Sequence, residues 1–169
     1  MKSPVKISLR DWLKDDFKNV KNILLTTWKS TYTFIPEEDI LLHYEKFYSN
    51  KELEKLFSSK SVKCIIAEVN SIPAGWMKLY EFVEEKRFFI SSLYVLPDYQ
   101  GIGLGKKLLF RAFNIAKMKN YDKIWLGVMK QNINAMEWYT KLGFVFTQEE
   151  PLQMGSSSIM HITGYKSLQ

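Results

Sequence analysis

Three glycines alternate with larger residues in the segment YQGIGLGKK, which spans residues 99–107. Glycine has no Cβ, so the backbone N–H groups around Gly101, Gly103 and Gly105 can approach a ligand without obstruction. A helix that begins here adds unpaired N–H donors and the positive end of its dipole, and Lys106 adds a full charge. The segment therefore predicts a pyrophosphate site, and a glycine-rich turn without a ligand is the alternative.

Two familiar phosphate loops do not match this spacing. The dinucleotide pattern G-x-G-x-x-G needs a glycine three positions after Gly103, and the Walker A pattern needs one five positions after Gly101. Lys106 occupies both of these positions. What remains is a strand, a tight connection and an amphipathic helix, which we expect from about residue 103 to residue 119.

A second segment, NINAMEWYTKLGFVF, has the pattern of a short helix with both ends marked. Asn132 and Asn134 are both suitable N-caps, and Gly143 fits a C-cap. Apolar residues recur between them at helical spacing, namely Ala135, Trp138, Tyr139 and Leu142. From the residues alone, Tyr139 is expected to be an aromatic residue of the core.

The elements that must position these segments follow the predicted order β-α-α-β-β-β-α-β-α-β-β. A strand at VKISL precedes a helix for which Asp11 is the expected N-cap, and a second helix follows FIPEED. Three strand patterns come next, and the crossover helix after the third lets KIWLGVM lie parallel to SLYVL. We therefore expect an α/β fold with a mixed sheet and helices on both faces, in a single domain over residues 1–169.

The amino-acid composition indicates the cellular compartment and the kinds of binding partner to expect. Hydrophobic residues make up 46% of the chain, which excludes a disordered protein. The single cysteine, Cys64, allows no disulfide within the chain, and we recognise neither a signal peptide nor an apolar run of ~18 residues. We therefore expect a cytoplasmic protein without a membrane partner. The net charge of +6 favours a polyanionic partner, but the lysines are dispersed, which argues against nucleic acid.

The segment LYVLPDYQGIGLGKKLL resembles the signature of the GNAT N-acetyltransferases, Q/R-x-x-G-x-G/A after a strand, and the element order is similar to that of the family. The resemblance implies acetyl-CoA as co-substrate. The residues that would hold its pyrophosphate, mainly through backbone N–H groups, are Gln100, Gly101, Ile102, Gly103, Leu104, Gly105 and Lys106. The pantetheine arm would pair like a strand with Leu93, Tyr94 and Val95, where the sheet of that family splays open.

The second segment is similar to the family motif N-x-x-A-x-x-x-Y-x-K-x-G-F. The resemblance implies that Tyr139 is the proton donor to the departing CoA thiolate, and a phenol with a pKa of about 10 suits that role. It also implies cofactor contacts from Asn132, Asn134 and Lys141. The stretch IWLGVMKQNINAMEWYTKLGFVFT, with the QMG that follows, looks like the PaiA-type spermidine/spermine N-acetyltransferases, which implies a polyamine acceptor.

The resemblance leaves the acceptor and the general base open. A protein N-terminus or a lysine is an alternative acceptor, and a non-catalytic acyl-CoA-binding module is an alternative function. Many members of the family have a carboxylate as base in the strand before LYV, whereas this chain has Ser91 and Ser92 there. We therefore count Glu81, His43 and an ordered water chain as candidates to take the proton of the amine.

The remaining candidates for amine binding lie in the N-terminal third of the chain. Trp28 and Tyr32 are one helical turn apart and could wall an amine channel through cation–π contacts, although core packing is their ordinary role. Glu37 and Glu38 could trap a cation, although acids are also common in the first turn of a helix. No metal is expected, because neither histidine has a second ligand at usable spacing. A homodimer is compatible with this sequence.

Overall fold

The computed structural model describes residues 4–169. The strands are β1 (Ile7–Asp11), β2 (Val62–Val69), β3 (Ile72–Phe82), β4 (Arg87–Val95), β5 (Lys123–Met129), β6 (Val145–Met154) and β7 (Ser157–Ser167). The helices are α1 (Phe17–Thr31), α2 (Glu37–Tyr48), α3 (Asn50–Ser58), α4 (Leu104–Met118) and α5 (Ile133–Lys141). Over residues 4–169, none of the helices combines the length and the apolar character needed to cross a bilayer.

The strands form one mixed sheet in the order β1-β2-β3-β4-β5-β7-β6. Neighbouring strands are antiparallel except β4 and β5, which are parallel and are connected through the crossover helix α4. A parallel pair needs such a long connection, whereas the antiparallel pair β6–β7 is joined by a short turn. The expected α/β fold, a mixed sheet flanked by helices, is confirmed.

The sheet opens between β4 and β5. These strands pair only over Phe88–Ile90 and Ile124–Leu126, and β4 then has a bulge that leaves Ser91 without a partner. Beyond the bulge, Leu93–Val95 stay beside β3 alone. The predicted parallel direction is confirmed, but the partner residues predicted in SLYVL are wrong, because the bulge turns that part of β4 away from β5. The opening matches the splayed sheet that the family resemblance implied.

Each face of the sheet has its own apolar core. On one face, α4 buries residues spaced three and four apart, namely Leu104, Leu108, Leu109, Ala112, Phe113 and Ala116, and α5 packs beside it. On the other face, α1 buries Val20, Ile23, Leu24, Thr27 and Trp28 beneath α2 and α3. This spacing creates an apolar stripe on each helix, and burial of the stripe against the sheet stabilises the helix.

The start of α1 differs from the prediction. Asp11 is not an N-cap, because it ends β1, and the chain makes a 3-10 turn before α1 begins at Phe17. Asp16 of that turn is buried and accepts hydrogen bonds from both Arg10 guanidinium NH groups, at 2.7 and 2.8 Å. Its carboxylate also accepts from the N–H of Leu13 at 2.7 Å. These bonds hold the chain in the turn and delay the helix.

The structure also has three helices between β1 and β2, where the sequence predicted two. Ser49 has an extended backbone that ends α2, and its Oγ accepts a hydrogen bond from the N–H of Glu52. That bond caps the additional helix α3, whose Leu53 is fully buried. The additional helix extends the cover over the face on which α1 lies.

Candidate active site

The glycine segment joins β4 to α4 and leaves its backbone open. Gly101 and Gly103 have φ angles of 78° and 88°, a left-handed conformation that glycine adopts without steric cost. A Cβ on either residue would meet no atom within 4 Å. Gly103 is the N-cap of α4 and offers no side-chain acceptor, so the first N–H groups of the helix are free to bind a ligand. This arrangement fits a pyrophosphate group.

The other residues predicted to bind the cofactor in this segment differ in burial and in hydrogen bonding. The side chain of Gln100 donates a hydrogen bond to the Val95 carbonyl at 3.0 Å and so braces the loop against the end of β4. Leu104 is buried and anchors the first turn of α4 in the core. Ile102 and Lys106 are exposed. The open backbone and the charge of Lys106 are therefore the features that an anionic ligand would meet.

The glycine segment adjoins the unpaired edge of β4. A Cβ on Gly105 would lie 3.5 Å from the Trp138 ring and 3.9 Å from the Leu93 side chain. Because Leu93–Val95 pair only with β3, the backbone edge that faces β5 has no partner strand in the sheet described above. The start of α4, the end of β4 and α5 therefore meet at the opening.

Tyr139 lies on α5 and is 9% exposed. Its ring contacts the rings of Trp138 and Phe144, with centroids 4.9 and 5.4 Å apart. Within residues 4–169 we find no hydrogen bond to its hydroxyl. Burial, and to a smaller degree the nearby Tyr32, raise the pKa of Tyr139 well above that of an ordinary phenol. The hydroxyl is therefore protonated at neutral pH and able to donate.

One polar residue at the start of α5 caps the helix, and two others on the helix are exposed. Asn132, rather than Asn134, is the N-cap, and its Oδ1 accepts a hydrogen bond from the N–H of Ala135 at 3.3 Å. Asn134 is exposed in the first turn, and Lys141 is exposed at the end of the helix. Of the three cofactor contacts predicted here, Asn134 and Lys141 have side chains open to a ligand, whereas Asn132 is engaged in its cap.

Aromatic side chains from α1, α2 and β4 form a cluster on the opposite face of the sheet. The Trp28 ring lies 6.4 Å from Tyr32, 5.7 Å from His43, 5.5 Å from Tyr48 and 6.0 Å from Tyr94, measured between centroids. Burial, followed by the proximity of Tyr32 and Tyr48, raises the pKa of Tyr94 well above its usual value. Trp28, Tyr32 and Tyr48 are buried in the core of this face. We call the five residues the aromatic recess.

Tyr32 connects the aromatic recess to Tyr139. The two tyrosines belong to the cores on opposite faces of the sheet. They are nevertheless close enough for the charge of ionised Tyr32 to raise the pKa of Tyr139. This proximity is the link that we draw between the predicted proton donor and the predicted aromatic wall.

The first turn of α2 contains three acids in different environments. Glu37 forms an ion pair with Lys29, and Glu38 is exposed. Asp39, which the sequence analysis did not single out, is buried and accepts a hydrogen bond from the N–H of Ser156 at 2.6 Å and from hydroxyl groups of the β6–β7 turn. Asp39 thereby ties α2 to that turn and fixes the helix on which His43 lies.

Glu81 lies apart from the other candidates. Its carboxylate accepts hydrogen bonds from Lys119 at 2.6 Å and from the Tyr121 hydroxyl at 3.0 Å. The bond from Lys119 lowers the pKa of Glu81. In the strand register Glu81 is opposite Phe88, at the end of β4 remote from Leu93–Val95. The structure brings His43 into the recess and places Glu81 elsewhere.

A cavity of about 480 Å³ adjoins the aromatic recess between α2, α3 and β3. His43 and Tyr48 line it, together with Lys78, whose Nζ donates a hydrogen bond to the Tyr48 hydroxyl at 3.3 Å. Ser92 is buried and lies opposite Lys78 in the strand register. Sequence reasoning did not place Lys78 in the site. The alternation of β3, which puts Lys78 on the same face as Trp76, was the signal that could have done so.

The site combines anion binding with acid–base groups. Burial, followed by the charges of Lys46 and Lys78, lowers the pKa of His43, so its imidazole is neutral at pH 7. A neutral imidazole and a protonated phenol can act as proton acceptor and proton donor. Within the described part of the chain, no group of three or more His, Cys, Asp or Glu side chains could hold a metal ion.

Sequence comparison relates this chain to acetyltransferases. A profile described as the acetyltransferase (GNAT) family matches residues 8–144. Spermidine N(1)-acetyltransferase from Thermoplasma acidophilum is 28% identical over 145 residues, which cover 83% of this chain and 89% of the relative. L-amino acid N-acyltransferase MnaT from Escherichia coli is 32% identical over 95 residues, which cover 54% of this chain and 55% of the relative.

A solved structure shares the fold over almost the whole chain. It is the crystal structure of PaiA N-acetyltransferase from Thermoplasma acidophilum in complex with coenzyme A, with a TM-score of 0.83 and 24% sequence identity. The match covers 96% of this chain and 99% of that chain. At this identity the likeness concerns the fold, whereas the family profile spans both the glycine segment and Tyr139.

Proposed function

The chain belongs to the acetyltransferase (GNAT) family, and we propose that this N-acetyltransferase transfers the acetyl group of acetyl-CoA to a primary amine of a small molecule. One observation is decisive for the proposal. The opening between β4 and β5 has free helix-start amides and a protonated tyrosine on one face of the sheet and the aromatic recess on the other. Acetyl transfer needs one binding surface for acetyl-CoA and another for the amine, because the two substrates must meet at the opening in a reactive orientation.

Acetyl-CoA supplies an activated acetyl thioester when it is bound. The backbone N–H groups of residues 101–106 would hold its pyrophosphate, with the positive end of the α4 dipole and the charge of Lys106. The unpaired edge of Leu93–Val95 would accept the pantetheine arm as an additional strand. Asn134 and Lys141 supply further exposed polar groups from α5. The open space at Gly101 and Gly103 supports this assignment.

Tyr139 would donate a proton to the departing thiolate sulfur. Its raised pKa keeps the hydroxyl protonated at neutral pH, and its hydroxyl has no competing hydrogen bond within residues 4–169. A proton delivered in the transition state avoids release of a free thiolate into a buried site, where charge is poorly solvated. After each turnover the phenolate would take a proton from solvent, because burial disfavours its charged form, and His43 would release the amine proton to solvent.

The amine must lose a proton before it can attack. An alkylammonium has a pKa of about 10.4, so at pH 7 its deprotonation costs roughly 4 to 5 kcal/mol. We propose that His43 receives this proton, directly or through water. His43 belongs to the aromatic recess and is neutral, whereas the Glu81 carboxylate is engaged by Lys119 and Tyr121.

A polyamine such as spermidine is the first acceptor to test. The Thermoplasma relative is named a spermidine N(1)-acetyltransferase, and the aromatic faces of Trp28 and Tyr32 and the exposed carboxylate of Glu38 would favour a cation. An amino acid is the second candidate. The Escherichia coli relative is named an L-amino acid N-acyltransferase, and the positively charged Lys78 lines the cavity beside the recess.

A thiol-release assay with acetyl-CoA and a panel of polyamines, amino acids and peptides tests the function. We expect CoA release above the amine-free rate and a product one acetyl group heavier by mass spectrometry. The amine-free reaction measures thioester hydrolysis and serves as the control. Binding of acetyl-CoA without release of CoA for any amine would instead indicate a non-catalytic acyl-CoA-binding module. Absence of acetyl-CoA binding in calorimetry would refute the assignment of the glycine segment.

A further inference from the structure

We propose that the cavity between α2, α3 and β3 binds an anionic group of the acceptor, a carboxylate or a phosphate, while the acceptor's amine lies in the aromatic recess. The anionic group would be bound by Lys78 Nζ and the Tyr48 hydroxyl. This inference rests on the proposed function and defines the acceptor class more closely. It follows from the position, charge and partners of Lys78 and of the side chains around it.

Lys78 is held in place at the boundary between the recess and the cavity. Its Nζ lies 5.1 Å from the centroid of the Tyr48 ring and 5.9 Å from that of Trp76, and it donates to the Tyr48 hydroxyl. Two aromatic faces and one hydroxyl orient the ammonium group without neutralising it. An ammonium group has three donors, so two remain for a ligand.

The charge of the cavity is positive once its internal ion pair is considered. Its charged lining residues are Glu52, Lys55 and Lys78, beside the neutral His43. Glu52 and Lys55 form an ion pair of 2.7 Å on one face of α3. Among residues 4–169, Lys78 forms no ion pair with a carboxylate. A partly buried ammonium without a counter-ion is costly, and an anionic ligand would offset that cost.

A buried polar atom without a partner lies next to Lys78. Ser92 is 5% exposed, and its Oγ has no hydrogen-bond partner in the described part of the chain. It lies directly opposite Lys78 in the register of β3 and β4, so both side chains are on the face of the recess. Buried hydroxyl groups are normally satisfied, and a polar group of the acceptor would satisfy this one.

The same charges oppose a polyamine that extends into the cavity. Its second ammonium group would be placed beside Lys78, without a carboxylate that is not already paired. Like charges at short distance in a partly buried site repel strongly. An acceptor with a distal carboxylate instead completes an ion pair and a hydrogen bond. We therefore infer that the preferred acceptor is an amino carboxylate or an amino phosphate.

Matched acceptors test this inference directly. Pentylamine, cadaverine and δ-aminovalerate present the same primary amine on a similar chain, with a methyl, an ammonium or a carboxylate group at the other end. L-lysine and cadaverine differ only in a carboxylate, and O-phosphoethanolamine against ethanolamine tests the phosphate. We expect kcat/KM to be at least about tenfold higher for the anionic member of a pair. Equal values, or a preference for cadaverine and spermidine, would overturn the inference.

Lys78→Gln should abolish the difference between the paired acceptors while acetyl-CoA affinity is unchanged. Lys46→Gln is the matched control, because Lys46 also affects His43 but does not line the cavity. It should retain the preference for the anionic acceptor. If both variants lose the preference equally, the effect arises from the charge around His43, and the subsite is refuted.

A binding measurement separates this inference from the proposed function. Valerate, which has the carboxylate but no amine, should bind the wild-type protein and compete with δ-aminovalerate, and Lys78→Gln should lose this binding in NMR titration. Valerate binding without acetyl transfer would support the subsite and reject the proposed reaction. Acetyl transfer to amines without valerate binding and without any effect of Lys78→Gln would support the reaction and reject the subsite.

Discussion

Tyr139 and His43 show how burial prepares two single residues for opposite tasks. Burial disfavours the charged form of any side chain, so it raises the pKa of a phenol and lowers that of an imidazole. Both shifts are present in this site. At neutral pH the phenol therefore has a proton to give, and the imidazole has a free lone pair to receive one.

The first prediction concerns the hydroxyl of Tyr139. Tyr139→Phe keeps the ring contacts with Trp138 and Phe144 and removes only the hydroxyl group, so folding and acetyl-CoA affinity should change little. Turnover should fall by about 10²- to 10⁴-fold if acetyl transfer limits the rate. Steady-state kinetics and calorimetry measure both quantities. Tyr121 bonds Glu81 outside the site, so Tyr121→Phe is the control and should retain turnover. A Tyr139→Phe turnover within about twofold of wild type would leave water as the proton donor.

The second prediction concerns the pH dependence of kcat at saturating substrates. His43 accepts a proton only when it is neutral. Burial, followed by the charges of Lys46 on α2 and Lys78 on β3, lowers the pKa of His43. Activity should therefore persist below the ordinary histidine pKa of about 6.5 and fall only at lower pH. His43→Gln should remove this acid limb and lower kcat. His161→Gln is the control, since burial also lowers the pKa of His161, and its profile should match wild type. If kcat of His43→Gln falls at low pH as in the wild type, water rather than His43 accepts the proton of the amine.

At the scale of elements, the junction of β4 and α4 determines where an anion can bind. The bulge at Ser91 ends the pairing with β5 and leaves the edge of Leu93–Val95 open. The positive φ of Gly103 then turns the chain directly into α4, so that the helix start lies at this edge. Bulge, open edge and helix start together form the cofactor side of the site, and none of them alone would suffice.

The third prediction tests this junction. Gly103→Val places a β-branched side chain at a φ of 88°, where it is strained, and covers the free amides of α4. We expect acetyl-CoA affinity to fall by about tenfold or more, since several backbone hydrogen bonds are lost. Gly143→Val has nearly the same backbone strain, at a φ of 91°, after the end of α5 and is the control. Calorimetry below the unfolding temperature of both variants compares them. Equal affinity in a folded Gly103→Val would contradict the loop assignment.

At the scale of the whole molecule, two cores share one sheet and meet at one opening. The α4 face holds the elements proposed for acetyl-CoA, and the face of α1 to α3 holds the aromatic recess. Asp39 fastens α2 to the β6–β7 turn and thus connects the first half of the chain to its end. The site therefore depends on the docking of both halves against the same strands.

The fourth prediction follows from this arrangement. A ligand that binds only the native state at about 100 times its Kd adds roughly 2.7 kcal/mol to the unfolding free energy. For a chain of this size we expect acetyl-CoA, with a Kd in the micromolar range, to raise Tm by about 5 to 10 °C. Differential scanning fluorimetry measures the shift, and desulfo-CoA without an acetyl group serves as a reference for the nucleotide part. No shift at saturating acetyl-CoA would reject the proposed cofactor site.

Local pattern was enough to locate the elements next to the site. The expected helices at about residues 103–119 and 134–142 are observed at Leu104–Met118 and Ile133–Lys141. Their apolar spacing, glycine positions and polar caps all act within a few residues, so they can be read directly from neighbours in the chain. The start of α1 escaped prediction because the ion pair of Arg10 with Asp16 forms across a strand end and a turn.

The glycine segment, the helix that bears Tyr139 and the mixed α/β order of elements could be predicted, because each depends on local periodicity and turn chemistry. The set of side chains that share the site could not be predicted, because it depends on contacts between distant segments. Asp39 meets a turn 117 residues away, and Lys78 lies opposite Ser92 only through the register of β3 and β4. These contacts follow from strand pairing and helix docking between distant segments, and no local pattern specifies that geometry.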